Sequence, residues 1–173
     1  MSLITICLTK RICFWIWSNY YNEIGEELDK HIPITFIVTG SKSEEYKQFE
    51  TYFQNLKEQN KNTQFILKPG EFSNRGQEIT VWNSLSSIKA YIGTGRRKWY
   101  IIQKYISNPL LISSNDGKMR KFDIRCFGLF TSINGQRKGY FFQDGYLRTA
   151  SKEYSSTNIN DKFIHLTNDA IQK

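Results

Sequence analysis

The sequence predicts an α+β fold with a mostly antiparallel sheet and flanking helices. Two strand-like runs within 121–149 lie on either side of Asn134-Gly135, the dipeptide most typical of a tight hairpin turn. A second turn pair, Asp144-Gly145, ends the following strand. Elsewhere, apolar residues recur at three- and four-residue spacing over 43–60, which predicts an amphipathic helix. Tight hairpin turns join antiparallel neighbours, so the sheet around 121–149 should be antiparallel.

The first of the two runs carries charges on one face. Side chains alternate between the faces of a strand, so Lys121, Asp123 and Arg125 share a face. That face continues into the mostly apolar set Phe127, Leu129 and Thr131. We therefore predict that the charged end lies at the mouth of a cleft. A solvent-exposed charge stripe, which contributes little to stability, is the alternative.

Composition limits the function classes without choosing one. The 173 residues suffice for one domain, or for one and part of another. The net charge of +8 favours an anionic partner, which could be nucleic acid, nucleotide phosphates or an acidic protein surface. Three cysteines without CxxC spacing argue against a disulfide framework and a zinc ribbon, and two histidines argue against a multi-histidine metal site.

The N-terminal 19 residues are difficult to assign. Lys10 and Arg11 divide two apolar runs, and neither run approaches the roughly 20 residues of a membrane helix. A signal peptide is poorly formed, because no basic residue precedes the first run. We predict a buried strand or a poorly defined N-terminus, with a membrane or targeting role as the alternative.

Local patterns assign most of the remaining chain. Ser41 and Glu44 fit a capping box for the helix at 43–60, whose aromatic stripe should pack in the core. A second, shorter helix is predicted at 84–92. The predicted strands, besides those of 121–149, cover 34–38, 65–68, 79–82, 99–106 and 163–168. Polar or basic loops are predicted at 93–98, 113–117 and 151–161, and the last residues begin a helix.

One loop has the composition of a phosphate-binding segment. It offers a hydroxyl, an amide, a guanidinium and a flexible backbone within four residues, Ser73, Asn74, Arg75 and Gly76. An ordinary turn has the same composition, and no Walker A pattern is present. The loop alone therefore leaves both interpretations open.

Polar side chains recur at or near the ends of apolar strands. They are Lys68, Gln103, Lys104, Lys121, Asp123, Arg125, Arg148, His165, Thr167 and Asn168. A reaction that joins a carboxylate to an amine with ATP uses such a set. Lysines neutralise the triphosphate, arginines hold carboxylates by paired hydrogen bonds, and amides recognise the base.

Five segments resemble the tubulin–tyrosine ligase-like family: LKPGEFSNRGQ, IIQKYISNPLLI, RKFDIRCFGLF, GYFFQDGYLRT and FIHLTNDAIQK. The resemblance implies an incomplete ATP-grasp-like fold, with 1–19 unassigned and 20–173 forming a partial catalytic domain truncated before its metal-binding part. It implies ATP and Mg²⁺ as cofactors, and ligation of tyrosine, glutamate or glycine to tubulin. The expected partners are an acidic tubulin tail and a free amino acid, without nucleic acid or membrane. The expected location is the cytoplasmic microtubule cytoskeleton, with cilium or basal body included.

The same resemblance implies roles for individual residues. Residues expected to bind the nucleotide phosphates or its surroundings are Lys68, Ser73, Asn74, Arg75, Gly76, Lys121 and Asp123. Those expected around the adenine are Gln103, Lys104, Tyr105 and Ile106, with Lys104 and Tyr105 acting through their backbone. His165, Leu166, Thr167 and Asn168 are expected near the ribose and phosphates. Arg125 and Arg148 match arginines around the donor or acceptor carboxylate and are the expected catalytic residues. Tyr105, Ile106 and Leu166 could instead be core residues, and Arg148 a surface residue.

Two departures from the family affect these expectations. Glu78 stands where the family usually has glycine, and its carboxylate would repel phosphate oxygens unless it points away. The family's magnesium ligands lie well beyond its HLTN motif, past residue 173 of this chain. A non-enzymatic fragment that binds tubulin tail or nucleotide is therefore one alternative. An RNA-binding module with interleaved aromatic and basic residues is another, but it leaves the KFDIR pattern unexplained.

Overall fold

The computed structural model describes residues 10–59, 61–70 and 76–172, which divide into two compact units. The first unit comprises 10–109 with 156–160, and the second comprises 110–155 with 161–172. Ser73, Asn74 and Arg75 of the predicted phosphate loop lie outside the described residues. None of the described helices is both long and apolar enough to cross a membrane.

The first unit is a four-stranded antiparallel sheet with helices. Its helices are α1 (Lys10–Glu23), a single 3₁₀ turn (Leu28–Lys30), α2 (Glu44–Glu58) and α3 (Leu85–Gly93). Its strands are β1 (Thr35–Val38), β2 (Phe65–Pro69), β3 (Thr80–Trp82) and β4 (Tyr100–Lys104), in the order β1-β4-β2-β3. The sheet therefore places β2 and β4, which carry Lys68 and Gln103, side by side.

The core of this unit lies on one face of the sheet. Alternate residues of β2 are buried, with Phe65 fully buried beneath Phe49 of α2 at 5.1 Å between ring centroids in an edge-to-face contact. Tyr46 and Leu56 of α2 are also buried, as is Ile88 of α3. The aromatic stripe of α2 packs in the core, as its spacing predicts.

The second unit is built from strands and two short helices. Its strands are β5 (Leu111–Ser113), β6 (Met119–Arg125), β7 (Gly128–Ile133), β8 (Gln136–Phe141) and β9 (Tyr146–Thr149), and its helices are α4 (Lys162–His165) and α5 (Asp169–Gln172). One sheet has the order β5-β6-β9, and β7 and β8 form a separate two-stranded hairpin, all antiparallel. The α+β class with antiparallel sheets and flanking helices is confirmed.

The hairpin turn forms where the sequence places it. Asn134 and Gly135 both have positive φ, 49° and 78°, as a type I′ turn requires, and Ile133 pairs with Gln136 across it. Gly145 lies between β8 and β9. A Cβ atom there would lie 2.8 Å from the carbonyl oxygen of Arg125, so the second turn needs glycine for close backbone approach.

Four local predictions are wrong. The prediction for 1–19 was a buried strand or a poorly defined N-terminus, but residues 10–19 lie in helix α1, because a short apolar run cannot by itself distinguish a strand from a helix. Residues 1–9 lie outside the described residues. Residues 162–165 form a helical turn capped by the Asp161 side chain, where a strand was predicted. The N-cap of α2 is Ser43, whose Oγ accepts from the Tyr46 N–H at 3.2 Å, and not Ser41.

The fourth wrong prediction concerns the charged face of β6. We expected it to continue through Phe127 to Thr131, but the chain leaves the sheet after β6, and β7 belongs to a different sheet. The alternation that places Lys121, Asp123 and Arg125 on one face therefore ends with β6.

Candidate functional site

In the second unit, several predicted site residues form a polar cluster. At its centre is an ion pair between two neighbouring strands. Asp123 of β6 and Arg148 of β9 are directly opposite in the antiparallel register. Arg148 donates from Nε to Oδ1 at 2.8 Å and from Nη2 to Oδ2 at 2.5 Å. Thr167 donates from Oγ1 to Oδ2 at 2.7 Å. One carboxylate thus connects three of the segments identified in the sequence.

These contacts keep Asp123 ionised. Partial burial raises the pKa of this carboxyl group, but the hydrogen bonds from Arg148 and Thr167 and the positive charge of Arg148 lower it more, so the pKa lies below its usual value. The group is therefore a fixed anion at neutral pH. In this arrangement the guanidinium of Arg148 is engaged with Asp123 through a bidentate contact.

Lys121 and Arg125 lie on the same face of β6 in different environments. Lys121 is partly buried, and burial lowers its pKa from 10.5 to about 8. Arg125 is exposed and lies with its Cζ atom 5.8 Å from the ring centroid of Phe127. A cation of reduced pKa and an exposed guanidinium therefore lie on either side of the Asp123 carboxylate.

The HLTN segment approaches this face from the chain end. His165 is buried, and its ring meets that of Tyr154 edge to face at 6.0 Å. Leu166 is also buried, as its core alternative anticipated. Asn168 accepts hydrogen bonds through its backbone carbonyl from the N–H groups of Ile171 and Gln172, and the Thr167 hydroxyl donates to the Asp123 carboxylate.

In the first unit, Lys68 and Gln103 come together across β2 and β4. Lys68 donates from Nζ to Gln103 Oε1 at 2.7 Å, and Gln103 donates from Nε2 to Thr35 Oγ1 at 2.8 Å. All three side chains lie on the sheet face opposite the core. Thr35 was not predicted as a site residue, because strand pairing, which brings it opposite Gln103, cannot be derived from the local pattern.

The residues that follow Gln103 do not share its environment. The N–H groups of Lys104 and Tyr105 donate to the carbonyls of Ile34 and Gln64, each at 2.8 Å. Tyr105 is buried, as its core alternative anticipated, and Ile106 is 54% exposed. Any contact of Lys104 or Tyr105 with a base would therefore involve groups other than these two amides.

The described end of the predicted phosphate loop is held by an ion pair. Gly76 has φ 79°, and Glu78 has φ 59°, in the region that glycine adopts freely. Arg97, from the basic turn after α3, donates through Nε to Glu78 Oε2 at 3.0 Å and through Nη2 to Oε1. Arg97 was not singled out in the sequence; its only signal was opposite charge in a nearby loop.

Magnesium is not accounted for by the described residues. Within 10–59, 61–70 and 76–172 no group of three or more His, Cys, Asp or Glu side chains could hold a metal ion. Asp123, the carboxylate of the polar cluster, is already bound by Arg148 and Thr167. We therefore assign no residue to a magnesium site and no chemical step to the ion.

Comparison with known proteins gives these clusters a context. Human "Probable tubulin polyglutamylase TTLL2" is 34% identical over 172 residues, which are 98% of this chain and 26% of that protein. "Tubulin glycylase 3B" of Tetrahymena thermophila is 38% identical over 109 residues, 63% of this chain and 9% of that protein. "Probable alpha-tubulin polyglutamylase Ttll1" of the same organism is 33% identical over 154 residues, 82% of this chain and 33% of that protein.

The chain thus spans between about a tenth and a third of the length of these relatives. The sequence model described as the tubulin-tyrosine ligase family matches residues 6–173, including all the segments that meet at Asp123 and at Gln103. On this match, and on the similarity to glycylases and polyglutamylases, the chain belongs to the tubulin-tyrosine ligase family.

Proposed function

We propose that the chain forms part of an ATP-dependent ligase that attaches an amino acid to the acidic tail of tubulin. The observation that carries the proposal is the contact of Asp123 with Arg148 and Thr167, because it unites three motif segments around one fixed anion. The relatives are named as glycylases and polyglutamylases of tubulin, which supports glycine or glutamate as the added amino acid. Tyrosine remains the third candidate.

The reaction would proceed in two steps, phosphorylation of a carboxylate and formation of an amide. A carboxylate oxygen attacks the γ-phosphorus of ATP, which forms an acyl phosphate and releases ADP. An amine then attacks the acyl carbon, which forms the amide bond, releases inorganic phosphate and loses one proton from nitrogen. Both steps move negative charge, so positioned cations would provide much of the rate.

We assign roles to the residues by their chemistry. Lys68 and Lys121 would neutralise phosphate oxygens, and Gln103 would recognise the edge of the base. Arg125, whose guanidinium is exposed, would hold the reacting carboxylate in a bidentate contact. Arg148 would position Asp123, which in turn holds Thr167. Ser73, Asn74, Arg75 and Gly76 would cover the phosphates.

The partner follows from charge. With a net charge of +8, the chain would attract the acidic tail of tubulin, and this attraction would weaken as salt screens it. The place of action would then be microtubules in the cytoplasm, including those of cilia and basal bodies.

Titration calorimetry of the chain with ATP and magnesium tests the nucleotide site. We expect binding that weakens at least about tenfold in Lys121→Met, since a charge-assisted contact to phosphate contributes about 1.5–3 kcal/mol. Lys118→Met, an exposed lysine just before β6, is the matched control and should bind as the unaltered chain does. Absence of binding by the folded chain, or equal affinity of the Lys121→Met variant, would contradict the assignment.

Ligation is assayed separately, by incorporation of labelled glycine, glutamate or tyrosine into microtubules. We expect label in tubulin only when ATP is present, and removal of the tubulin tails by protease should abolish it. Incorporation of one of the three amino acids identifies the substrate.

A further inference from the structure

A small cavity lies on the sheet face opposite the core of the first unit. Its volume is about 200 Å³. One wall is formed by side chains of the sheet, among them Lys68, Ile101 and Gln103, and another by Phe14 and Trp17 of α1. Helix α1 therefore covers the polar network of Lys68, Gln103 and Thr35, although no residue of α1 was among the predicted site residues.

The two walls have different chemistry. The sheet wall carries the chain of hydrogen bonds from Lys68 through Gln103 to Thr35. The helix wall carries aromatic rings, whose faces bear partial negative charge and do not attract an anion. Such a cavity suits a flat, neutral ring with polar atoms along its edge. It does not suit the phosphate groups of a nucleotide on the helix side.

The volume also limits the ligand. Pockets for complete drug-sized ligands measure roughly 300–1,000 Å³, so a cavity of about 200 Å³ holds only a part of such a molecule. Trp17 is 48% exposed, which leaves much of its side-chain surface available to a ligand. A heteroaromatic ring placed against it would bury that surface.

We propose that Trp17, together with Phe14, binds the purine ring of ATP in this cavity, with Gln103 at the polar edge of the ring. The proposal rests on the proposed function and adds to it a base-binding wall supplied by α1. Stacking of a base on an aromatic side chain is worth about 1–3 kcal/mol, which corresponds to a loss of about 5-fold to 160-fold in affinity when the ring is removed.

Trp17 is the better of the two residues to test. Phe14 also lines a neighbouring cavity of about 250 Å³, so its truncation would join the two cavities. Trp15 provides a matched control, because it lies on the same helix, is 65% exposed and does not line the cavity. Trp17→Phe keeps an aromatic ring and should retain most of the affinity.

The experiment measures the binding of magnesium ATP and of magnesium tripolyphosphate, which lacks the base, to each variant of the chain. We expect Trp17→Ala to bind ATP about tenfold more weakly and tripolyphosphate with unchanged affinity. Trp15→Ala should bind both ligands like the unaltered chain. Thermal melts followed by circular dichroism check that each variant is folded.

A second measurement does not depend on the alanine variant. Nucleotide binding should quench tryptophan fluorescence in the unaltered chain and in Trp15→Phe, and this quenching should be lost in Trp17→Phe. If Trp17→Ala does not fold, the comparison of the two phenylalanine variants decides the proposal.

The binding results distinguish an error in the role of Trp17 from an error in the proposed nucleotide site. If the unaltered chain binds ATP and Trp17→Ala binds it equally or more tightly, α1 only covers the sheet and the inference is wrong, while the proposed nucleotide site stands. If the folded chain binds neither ATP nor tripolyphosphate, the proposed site and the inference both fail.

Discussion

The contacts of Glu78 answer a question that the sequence leaves open. Its carboxylate was expected either to repel phosphate or to point away from it. The structure pairs it with Arg97 through two hydrogen bonds, which also lower the pKa of the Glu78 carboxyl group. The sequence could not supply this partner, because an opposite charge in a loop 19 residues away is a common and unspecific signal.

Replacement of Glu78 by glycine should change stability only slightly. Glycine relieves the left-handed backbone, which costs other residues about 1–2 kcal/mol, while loss of this half-buried ion pair at the surface costs about 0–1 kcal/mol. We expect Glu78→Gly to be at least as stable as the unaltered chain in urea unfolding. Its free energy of unfolding should also depend less on salt.

Glu78→Gln is the matched control, because it loses the charge and keeps the strained backbone. It should therefore be less stable than Glu78→Gly. The opposite order would show that the backbone at residue 78 stores no strain.

Lys121 should make stability depend on pH in the alkaline range. Burial disfavours its charged form, so its folded pKa of about 8 lies below its ordinary value of 10.5. The destabilising effect is therefore complete below pH 8 and disappears as the pH rises to 10.5. We expect Lys121→Met to be more stable than the unaltered chain near neutral pH, with the difference shrinking between these two values.

Denaturant unfolding at a series of pH values measures this difference. Lys118→Met, which removes an exposed lysine, should show none. A constant difference between Lys121→Met and the unaltered chain across the range would mean that Lys121 is as solvated in the folded state as in the unfolded one.

Among the elements, those with a clear local signal were predicted and those that depend on context were not. The amphipathic helix α2 and the hairpin β7–β8 follow from spacing and from Asn134-Gly135. Helix α1 does not, because its residues 12–17 form an apolar run without a decisive period. Helix α4 has only four residues, fewer than a periodic pattern needs.

The sequence allowed us to predict which residues belong to the candidate site, but not which of them contact one another. Asp123 and Arg148 were both identified, but in separate roles. Their pairing depends on the register of β6 against β9, two strands separated in sequence by the whole hairpin. Register is set by turns and by the burial of whole faces, so it cannot be derived from either strand alone.

The cap of α2 gives a direct test of the corrected boundary. Ser43 satisfies the N–H of Tyr46, and removal of such a cap costs about 1 kcal/mol. We expect Ser43→Ala to lower the free energy of unfolding by about this amount, measured by urea unfolding. Ser41→Ala, at the position first predicted as the cap, should leave it nearly unchanged; equal losses would contradict the assigned boundary.

At the scale of the molecule, the hairpin β7–β8 carries several exposed apolar side chains. Leu129 and Tyr140 on one face, and Phe130 and Phe141 on the other, are each more than half exposed. An isolated two-stranded hairpin is marginal in water, and a large exposed apolar patch favours association.

We therefore expect the purified chain to associate as its concentration rises. Salt should strengthen this association, because it screens the repulsion between molecules of charge +8. Sedimentation velocity measures it. Replacement of Leu129 and Phe141 by threonine, which keeps strand propensity, should reduce it. Leu110→Thr removes an apolar side chain that is 80% exposed outside the hairpin, and should have no such effect.

The pairing of Asp123 with Arg148 also has a consequence for the order of folding. The register that joins β6 to β9 requires residues 126–145 to close into a loop, and closure entropy increases with loop length. If β7 and β8 pair first, starting from the Asn134-Gly135 turn, only a few residues remain in the unpaired loop. The free-energy cost of closing that loop then falls by about 1 kcal/mol. The hairpin, which contributes no predicted site residue of its own, would thus act as the nucleus that allows the ion pair to form.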